Sequence, residues 1–365
     1  MKIAFIKRHF SYYGGAERYL NRLIEALKNK AKEIHIFANN WTADKDLIFH
    51  KVPILSFGSF LKAYTFNRNL KINLREFDCV ISFERTLNQH IYRAGEGCHI
   101  RWLQIRSIYE PFWKRYSFKL NPLHKYYLMV EKQIFKETPL IIANSKMIKN
   151  EIVHYYGIPP SKIKVIYNGI DTLRFLPSNG KEIKKSILNP CPKGKIILFV
   201  GSGFERKGLI NLLKALSLLK NEKFLLFVIG KGNIKKYREI SKVLGILDKI
   251  HFYGTTKEIE KFYAVADIFV LPTLYDPFSN ATLEAMASGL PVITTVNNGA
   301  SELIEEGKEG FIIQNPLNYR EITEKIEFAL KEKEKMGECA RKKAEQFTIE
   351  RAARDFFQCI EKFSS

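Results

Sequence analysis

A chain of 365 residues with 46% hydrophobic content can bury a large core, and at ~100–200 residues per domain it is expected to divide in two. Its five cysteines, Cys79, Cys98, Cys191, Cys339 and Cys359, are odd in number, scattered and without a C-x-x-C pair, which argues against a disulfide framework or a zinc site and for a reducing cytoplasm. The net charge of +21 asks for an anionic partner, and roughly +15 of it falls in residues 1–170, leaving about +6 for the remainder.

The opening Met1-Lys2-Ile3-Ala4-Phe5-Ile6-Lys7-Arg8 is too short an apolar run for a signal peptide, and nowhere do ~20 apolar residues run together, so a cytoplasmic protein that does not span a membrane is expected. From there a short β-branched or aromatic run followed by a helical period recurs, the pattern of parallel strands with crossover helices. The first series predicts strands at Lys2–Ile6, Glu33–Phe37, Val80–Phe83, Leu140–Ala143 and Lys164–Tyr167, with helices at Gly15–Lys28 and Lys146–Tyr156. Asn144-Ser145 precedes the second helix as a cap, and Gly157 stops it. Gly14-Gly15 lets backbone approach a ligand closely at the start of the first helix, but G-x-G-x-x-G is absent, which speaks against a dehydrogenase.

Residues 101–127 interleave Trp102, Tyr109, Phe112, Trp113, Tyr116 and Phe118 with Arg101, Arg106, Lys114, Arg115, Lys119 and Lys125, opposed by Glu110. Aromatics at headgroup depth among cations describe a patch for an anionic membrane surface, with Trp102, Trp113, Lys114 and Arg115 at its centre. An aromatic core with snorkelling cations is the plainer alternative, and no nucleic-acid-binding motif accompanies the charge.

Turn formers and lysines from Pro177-Ser178 to Lys193-Gly194 read as the connection between domains. The expected division is 1–175, a first doubly wound domain; 176–194, the linker; 195–345, a second such domain; and 346–365, a C-terminal helix packing back on the first domain. The second series predicts strands at Lys195–Val200, Phe224–Ile229, Ile250–Tyr253, Ile268–Leu271 and Pro291–Thr294, with helices at Leu209–Leu219 and Leu283–Ser288.

Gly201-Ser202-Gly203-Phe204-Glu205-Arg206-Lys207-Gly208 follows the first strand of that series, at the carboxyl edge where doubly wound sheets bind ligands. A planar guanidinium and a compact ammonium on a glycine-bracketed turn suit a diphosphate without a metal. Asp276 and Glu284 lie on either side of a turn entering a helix, where carboxylates accept sugar hydroxyls while backbone N–H groups of Phe278, Ser279 and Asn280 face phosphate. In isolation Glu284 is equally explained by the preference of acids for a helix N-terminus. Asp44-Lys45-Asp46 matches the D-x-D pair that holds a divalent cation in metal-dependent transferases of another fold, a role rejected here because two surface acids at this spacing are frequent by chance and Arg206 and Lys207 already supply compensating charge.

Gly14-Gly15-Ala16-Glu17-Arg18, Asn144-Ser145-Lys146, Val165 to Asp171, Gly201 to Gly208 and Asp276 to Val292 together make the chain resemble glycosyltransferase family 4, over nearly its whole length. The resemblance implies the GT-B fold, α/β with two facing Rossmann-like doubly wound parallel sheets and a cleft between them, 1–175 being the acceptor-binding Rossmann-like domain and 195–345 the nucleotide-sugar-binding one. It implies that Arg206 and Lys207 hold the donor diphosphate, Glu284 the ribose, Asp276 the donor sugar, and that the Gly15 backbone lies near the phosphates. The family usually has Glu where this chain has Asp276, which keeps the charge and retracts it by about one methylene. For the acceptor side the match points to Glu96, with His99 second.

Within the family the chain resembles the branch that glucosylates inner-core heptose of lipopolysaccharide. The expected activity is therefore retaining, metal-independent and cofactor-free transfer of a hexose, glucose, from a UDP sugar to a glycolipid such as lipopolysaccharide core, by an enzyme peripheral on the inner face of the cytoplasmic membrane. Mannosyl or galactosyl transfer to a polysaccharide or lipid-linked acceptor, a nucleotide-sugar epimerase, and a non-catalytic basic membrane- or nucleic-acid-binding module are the alternatives.

Overall fold

The computed structural model describes residues 1–9, 15–28, 30–41, 46–178, 194–219 and 223–363. Most of the expected linker therefore lies outside the described residues, as do Gly14, Asp44 and Cys191. The chain separates into two compact units, Met1–Gly169 with Ile349–Ser365, and Ile170–Thr348. Each is built on an all-parallel sheet, the outcome expected when apolar runs buried on both faces are joined by helices.

Among the described residues the first unit has strands β1 (Lys2–Ile6), β2 (Glu33–Ala38), β3 (Ile48–Lys51), β4 (Cys79–Ser82), β5 (Ile91–Ala94), β6 (Leu140–Ala143) and β7 (Ile163–Val165), in the spatial order β3-β2-β1-β4-β5-β6-β7. The order reverses between β1 and β4, so the loops after those two strands flank the crevice where doubly wound sheets take ligands. β3 and β5 are additions to the strands read from sequence. So are the helices Gly58–Asn69, His99–Tyr109, Phe112–Leu120 and Pro122–Glu137. The Lys146–Tyr156 helix is capped by Ser145, whose hydroxyl accepts from Ile148 N–H at 3.2 Å, and ends at Gly157 with φ 65°.

The helix Ile349–Glu361 buries Ala352, Ala353, Phe356, Cys359 and Ile360, an i, i+1, i+4, i+7, i+8 stripe. That stripe packs into the core formed by Ile3 and Phe5 of β1 and by Leu20, Leu23 and Leu27 of the Gly15–Lys28 helix. The last helix of the chain thus completes the core of the first unit.

The second unit has β8 (Lys195–Val200), β9 (Phe224–Ile229), β10 (Ile250–Gly254), β11 (Ile268–Leu271), β12 (Val292–Thr295) and β13 (Gly310–Ile313), ordered β10-β9-β8-β11-β12-β13. Here the reversal falls between β8 and β11. The loops leaving those strands, Gly201–Gly208 and Pro272–Ser279, are the two singled out by the sequence. Among the described residues no helix is long and apolar enough to cross a membrane.

Candidate active site

In the second unit, the turn after β8 closes on itself by Lys207 N–H to Gly203 O at 3.1 Å and Gly208 N–H to Glu205 O at 3.1 Å. Gly208 then starts the Leu209–Leu218 helix at φ 74°, and a β-carbon there would lie 1.9 Å from the carbonyl oxygen of Pro272. Glycine is required at that point because the turn after β8 presses directly on the loop after β11. Leu274 N–H and the Thr273 hydroxyl both donate to the carbonyl of Arg206, at 2.8 and 2.9 Å, and tie the same two loops together.

These main-chain contacts bring the charged side chains into one place. Lys207, buried, donates from Nζ to the Asp276 carboxylate. Arg206 donates to the carbonyl of Tyr275 at 2.8 Å and stands 3.8 Å from Asp276 Oδ1. Burial drives the Asp276 carboxyl up, but Lys207, Arg206 and the Phe278 N–H outweigh it and hold the carboxyl below its ordinary value. Burial and Arg206 lower Lys207, against the opposing pull of Asp276 and Glu284. Asp276 is thus the partner of the lysine at the centre of the site, and a sugar hydroxyl that reached it would share it with that cation.

Glu284 projects from the Asn280–Ala287 helix, buried, and accepts the Tyr263 hydroxyl at 2.9 Å. Ser279 caps this helix by accepting from Thr282 N–H at 3.3 Å. Asn298, fully buried after β12, holds the turn. Its Oδ1 accepts from Ser279 N–H and Ala300 N–H, each at 3.1 Å, and its Nδ2 donates to Thr282 at 3.1 Å and Thr294 at 2.9 Å. Neither Tyr263 nor Asn298 is among the site residues that the sequence points to. The Asn297-Asn298-Gly299 turn was a usable signal for the second, while nothing local marks the first.

In the first unit, Glu96 sits after β5, half exposed, bonded to Arg85. Desolvation opposes its charge, but Arg85, Lys7 and Arg8 hold it below the usual carboxylate range. Lys7 and the main chain of Arg8 are tied to Glu84, at 3.1 and 3.2 Å. Gly15 opens the first helix, and the turn that leads to it lies outside the described residues.

His99, the second choice for the acceptor side, is a different kind of group. Its ring is buried, with Nε2 3.0 Å from Nδ1 of His124, and burial together with Arg85 pushes it down to about 3. It is neutral at pH 7 and held by another histidine, so the structure places it in the fold rather than among titrating groups. Because an unfolded histidine binds protons below about 6.5 and this one does not until about 3, His99 subtracts stability as pH falls through that window. The expected result for His99→Phe is an unchanged activity–pH profile and a smaller loss of melting temperature between pH 7 and 4 than in the wild type.

Of the proposed membrane residues, Trp113 is 62% exposed and Arg115 is exposed as well. Trp102 is half-buried with Arg106 5.8 Å from its ring, and Arg106 is bonded to Glu110 at 2.6 and 3.1 Å, so that part of the segment is internally satisfied. The Lys114 side chain lies outside what the structure describes. Asp46 of the D-x-D pattern pairs with Lys28 at 3.2 Å, and among the described residues no group of three or more His, Cys, Asp or Glu converges as a metal set.

Two family models divide the chain between them. "Glycosyltransferase Family 4" matches residues 13–174 and "Glycosyl transferases group 1" matches 180–346. The chain belongs to glycosyltransferase family 4. It is a hexosyltransferase of GT-B fold. The lipopolysaccharide glucosyltransferase WaaG of Escherichia coli is 24% identical over 343 residues, covering 90% of each chain. The crystal structure of WaaG superposes with a TM-score of 0.84 at 22% identity, covering 98% of this chain and 99% of that one. Anabaena HepE, solved in complex with UDP and glucose, superposes with a TM-score of 0.76 at 17% identity over 99% of both chains.

Proposed function

We propose that this family 4 glycosyltransferase moves glucose from a UDP sugar to a lipopolysaccharide-core type glycolipid, with retention at the anomeric carbon and without a metal. The observation that carries the reading is the meeting of Arg206, Lys207 and Asp276 at the switch point of the second sheet, with Glu284 close enough to act on Lys207. Similarity to a lipopolysaccharide glucosyltransferase along 90% of the chain supports the glucosyl donor and the acceptor.

In this reading Glu284, steadied by Tyr263, accepts the ribose hydroxyls, and the diphosphate lies against Arg206, Lys207 and the N–H groups of Phe278, Ser279 and Asn280. The C1–O bond to phosphate breaks and negative charge collects on the leaving oxygens, where both cations and the amino end of the Asn280–Ala287 helix already stand. The acceptor oxygen bonds C1 on the face the phosphate leaves, and its proton passes to a phosphate oxygen, so UDP departs. Asp276 bears on the donor sugar from its seat on Lys207, and Glu96 orients the acceptor hydroxyl without attacking carbon.

Two fixed cations compensate the diphosphate charge that other transferases meet with a divalent ion. Trp113 and Arg115 seat the enzyme on the inner face of the cytoplasmic membrane. Removing Arg115 should weaken binding to anionic vesicles about fivefold, near 1 kcal/mol per cation at a lipid surface. Equal partition of the wild type onto anionic and zwitterionic vesicles would contradict the patch.

Asp276 is shorter than the family's usual Glu and engaged by Lys207, which keeps galactose and mannose as competing sugars. Transfer assays with UDP-glucose, UDP-galactose and GDP-mannose in EDTA, with NMR of the product, decide among them. UDP-glucose should be preferred and its α-anomer retained. An inverted product or a clear preference for GDP-mannose would overturn the reading.

A further inference from the structure

The two oxygens of Glu96 are treated differently. Oε2 is bonded to the Arg85 guanidinium, whereas among the described residues no donor is seen on Oε1, and 52% of the side chain is exposed. Arg85 itself is 9% exposed and engaged on every side. Its Nε donates to Glu131 at 2.6 Å, a terminal nitrogen donates to the Gly97 carbonyl at 3.3 Å, and its flat face lies 4.9 Å from the Tyr127 ring.

Glu131 is fully buried on the Pro122–Glu137 helix and would be costly there without partners. It has them. The His99 N–H donates to its two oxygens at 2.9 and 3.1 Å, and the Tyr156 hydroxyl donates to Oε2 at 2.6 Å. The start of one helix, the middle of a second and the end of a third fix Glu131, Glu131 fixes Arg85, and Arg85 reaches out to a carboxylate at the surface. Neutralising Glu131 alone would not need a fork that also spans Glu96 and Gly97. A lysine would serve as a single point of charge there but could not bridge the three acceptors.

We infer that Arg85 is a positioning residue for sugar transfer: it locks the rotamer of Glu96 by holding Oε2, so that Oε1 faces outward to accept the hydrogen bond of the acceptor hydroxyl. This rests on the reading of Glu96 as the acceptor-side group. The charged and titratable groups around Glu96 are Lys7 and Arg8 after β1, Arg85 after β4, Tyr92 on β5 and His99. Of these the cations keep it ionised at neutral pH, and Arg85 is the one bonded to it.

The experiment compares Arg85→Lys, Glu131→Gln and Glu96→Gln with the wild type in the intact enzyme, with kcat and KM measured for donor and acceptor across pH. Arg85→Lys should raise the acceptor KM ~10-fold or more, the loss of a well-directed charged hydrogen bond, and move the acid limb of acceptor kcat/KM to higher pH. Glu131→Gln, which loosens the anchor but leaves Arg85 in place, should shift both in the same direction by less. Donor KM should stay at the wild-type value in both, which a general loss of structure would not allow. An unmoved acceptor KM and acid limb in Arg85→Lys and Glu131→Gln, with Glu96→Gln impaired, would overturn the positioning role alone. If Glu96→Gln keeps the wild-type acceptor KM and acid limb, the acceptor-side reading falls and the inference with it.

Discussion

Arg206→Ala is expected to lower turnover by ~10²–10³, corresponding to roughly 3–4 kcal/mol of transition-state stabilisation, while leaving the fold intact. The reason lies in what Arg206 does and does not hold. About a third of its side chain is exposed, one terminal nitrogen rests on the Tyr275 carbonyl at 2.8 Å, and its contact with Asp276 is a loose 3.8 Å. Little of the core depends on it, yet it stands beside the buried ion pair at the carboxyl edge of β8 and β11, where a leaving diphosphate would gain charge. Loss in kcat larger than the rise in donor KM would show that the guanidinium acts more strongly on the transition state than on bound donor. A variant with wild-type kcat and KM would remove Arg206 from the reaction.

Lys207→Met should instead act first on stability. Methionine keeps the stem that lies against Gly201, where a β-carbon would meet Lys207 carbons at 3.0–3.2 Å, and deletes the ammonium. Asp276 would then be left buried, with Arg206 at 3.8 Å and the Phe278 N–H to support its charge. Breaking a buried pair from one side costs about 3–5 kcal/mol, which for a unit of this size lowers the melting temperature by roughly 10 °C.

Removing both charges as Lys207→Met with Asp276→Asn should cost less than the sum of the two single changes, because no buried ion is then abandoned. The pH dependence has a definite sign. Asp276 is depressed in the folded protein, so its contribution is complete above the ordinary carboxylate range and is lost as pH falls through its lowered folded value. Lys207→Met relieves that depression, and the gap between variant and wild type should narrow on acidification. Urea melts at pH 7 and at pH 3, below the ordinary aspartate value, measure both effects, and strict additivity in the double variant would contradict the pairing.

Much of this arrangement is written in local sequence. β9 and β11 are uninterrupted apolar runs buried on both faces, as is β8 after its opening Lys195, and the limits of all three in the structure are those read from the chain. The loops that follow β8 and β11 carry glycines and charges that stand out against such runs. β5 does not stand out, because its four residues include Arg93, which is buried and bonded to Asn168, so a charge interrupts the apolar signal. β3 is mostly exposed along its length and carries neither a buried run nor an alternating one.

The helices from His99 to Glu137 were obscured for a related reason. Aromatics and cations interleave there without a clear 3.6-residue stripe, and composition drew attention to the surface. Glu131 looks from sequence like any solvated helical glutamate, and its complete burial depends on Arg85, 46 residues away. The contact between Lys207 and Asp276 spans 69 residues and arises from sheet order, since β8 and β11 become neighbours only when the strands are arranged about the switch point. Residue types at a site can be read locally, whereas their pairing is a property of the fold.

In the proposed reaction the carboxyl edge of the second sheet holds a nucleoside diphosphate through fixed protein charges. Titrating the intact enzyme with uridine, UMP and UDP in EDTA, with thermal unfolding as the readout, separates those charges from contacts to the nucleoside. UDP should bind far more tightly than uridine, stabilise the fold by about 2.7 kcal/mol at 100 times its dissociation constant, and lose most of that advantage in Arg206→Ala. Equal affinity for uridine and UDP, or UDP binding that appears only when magnesium is added, would contradict that role of the fixed charges.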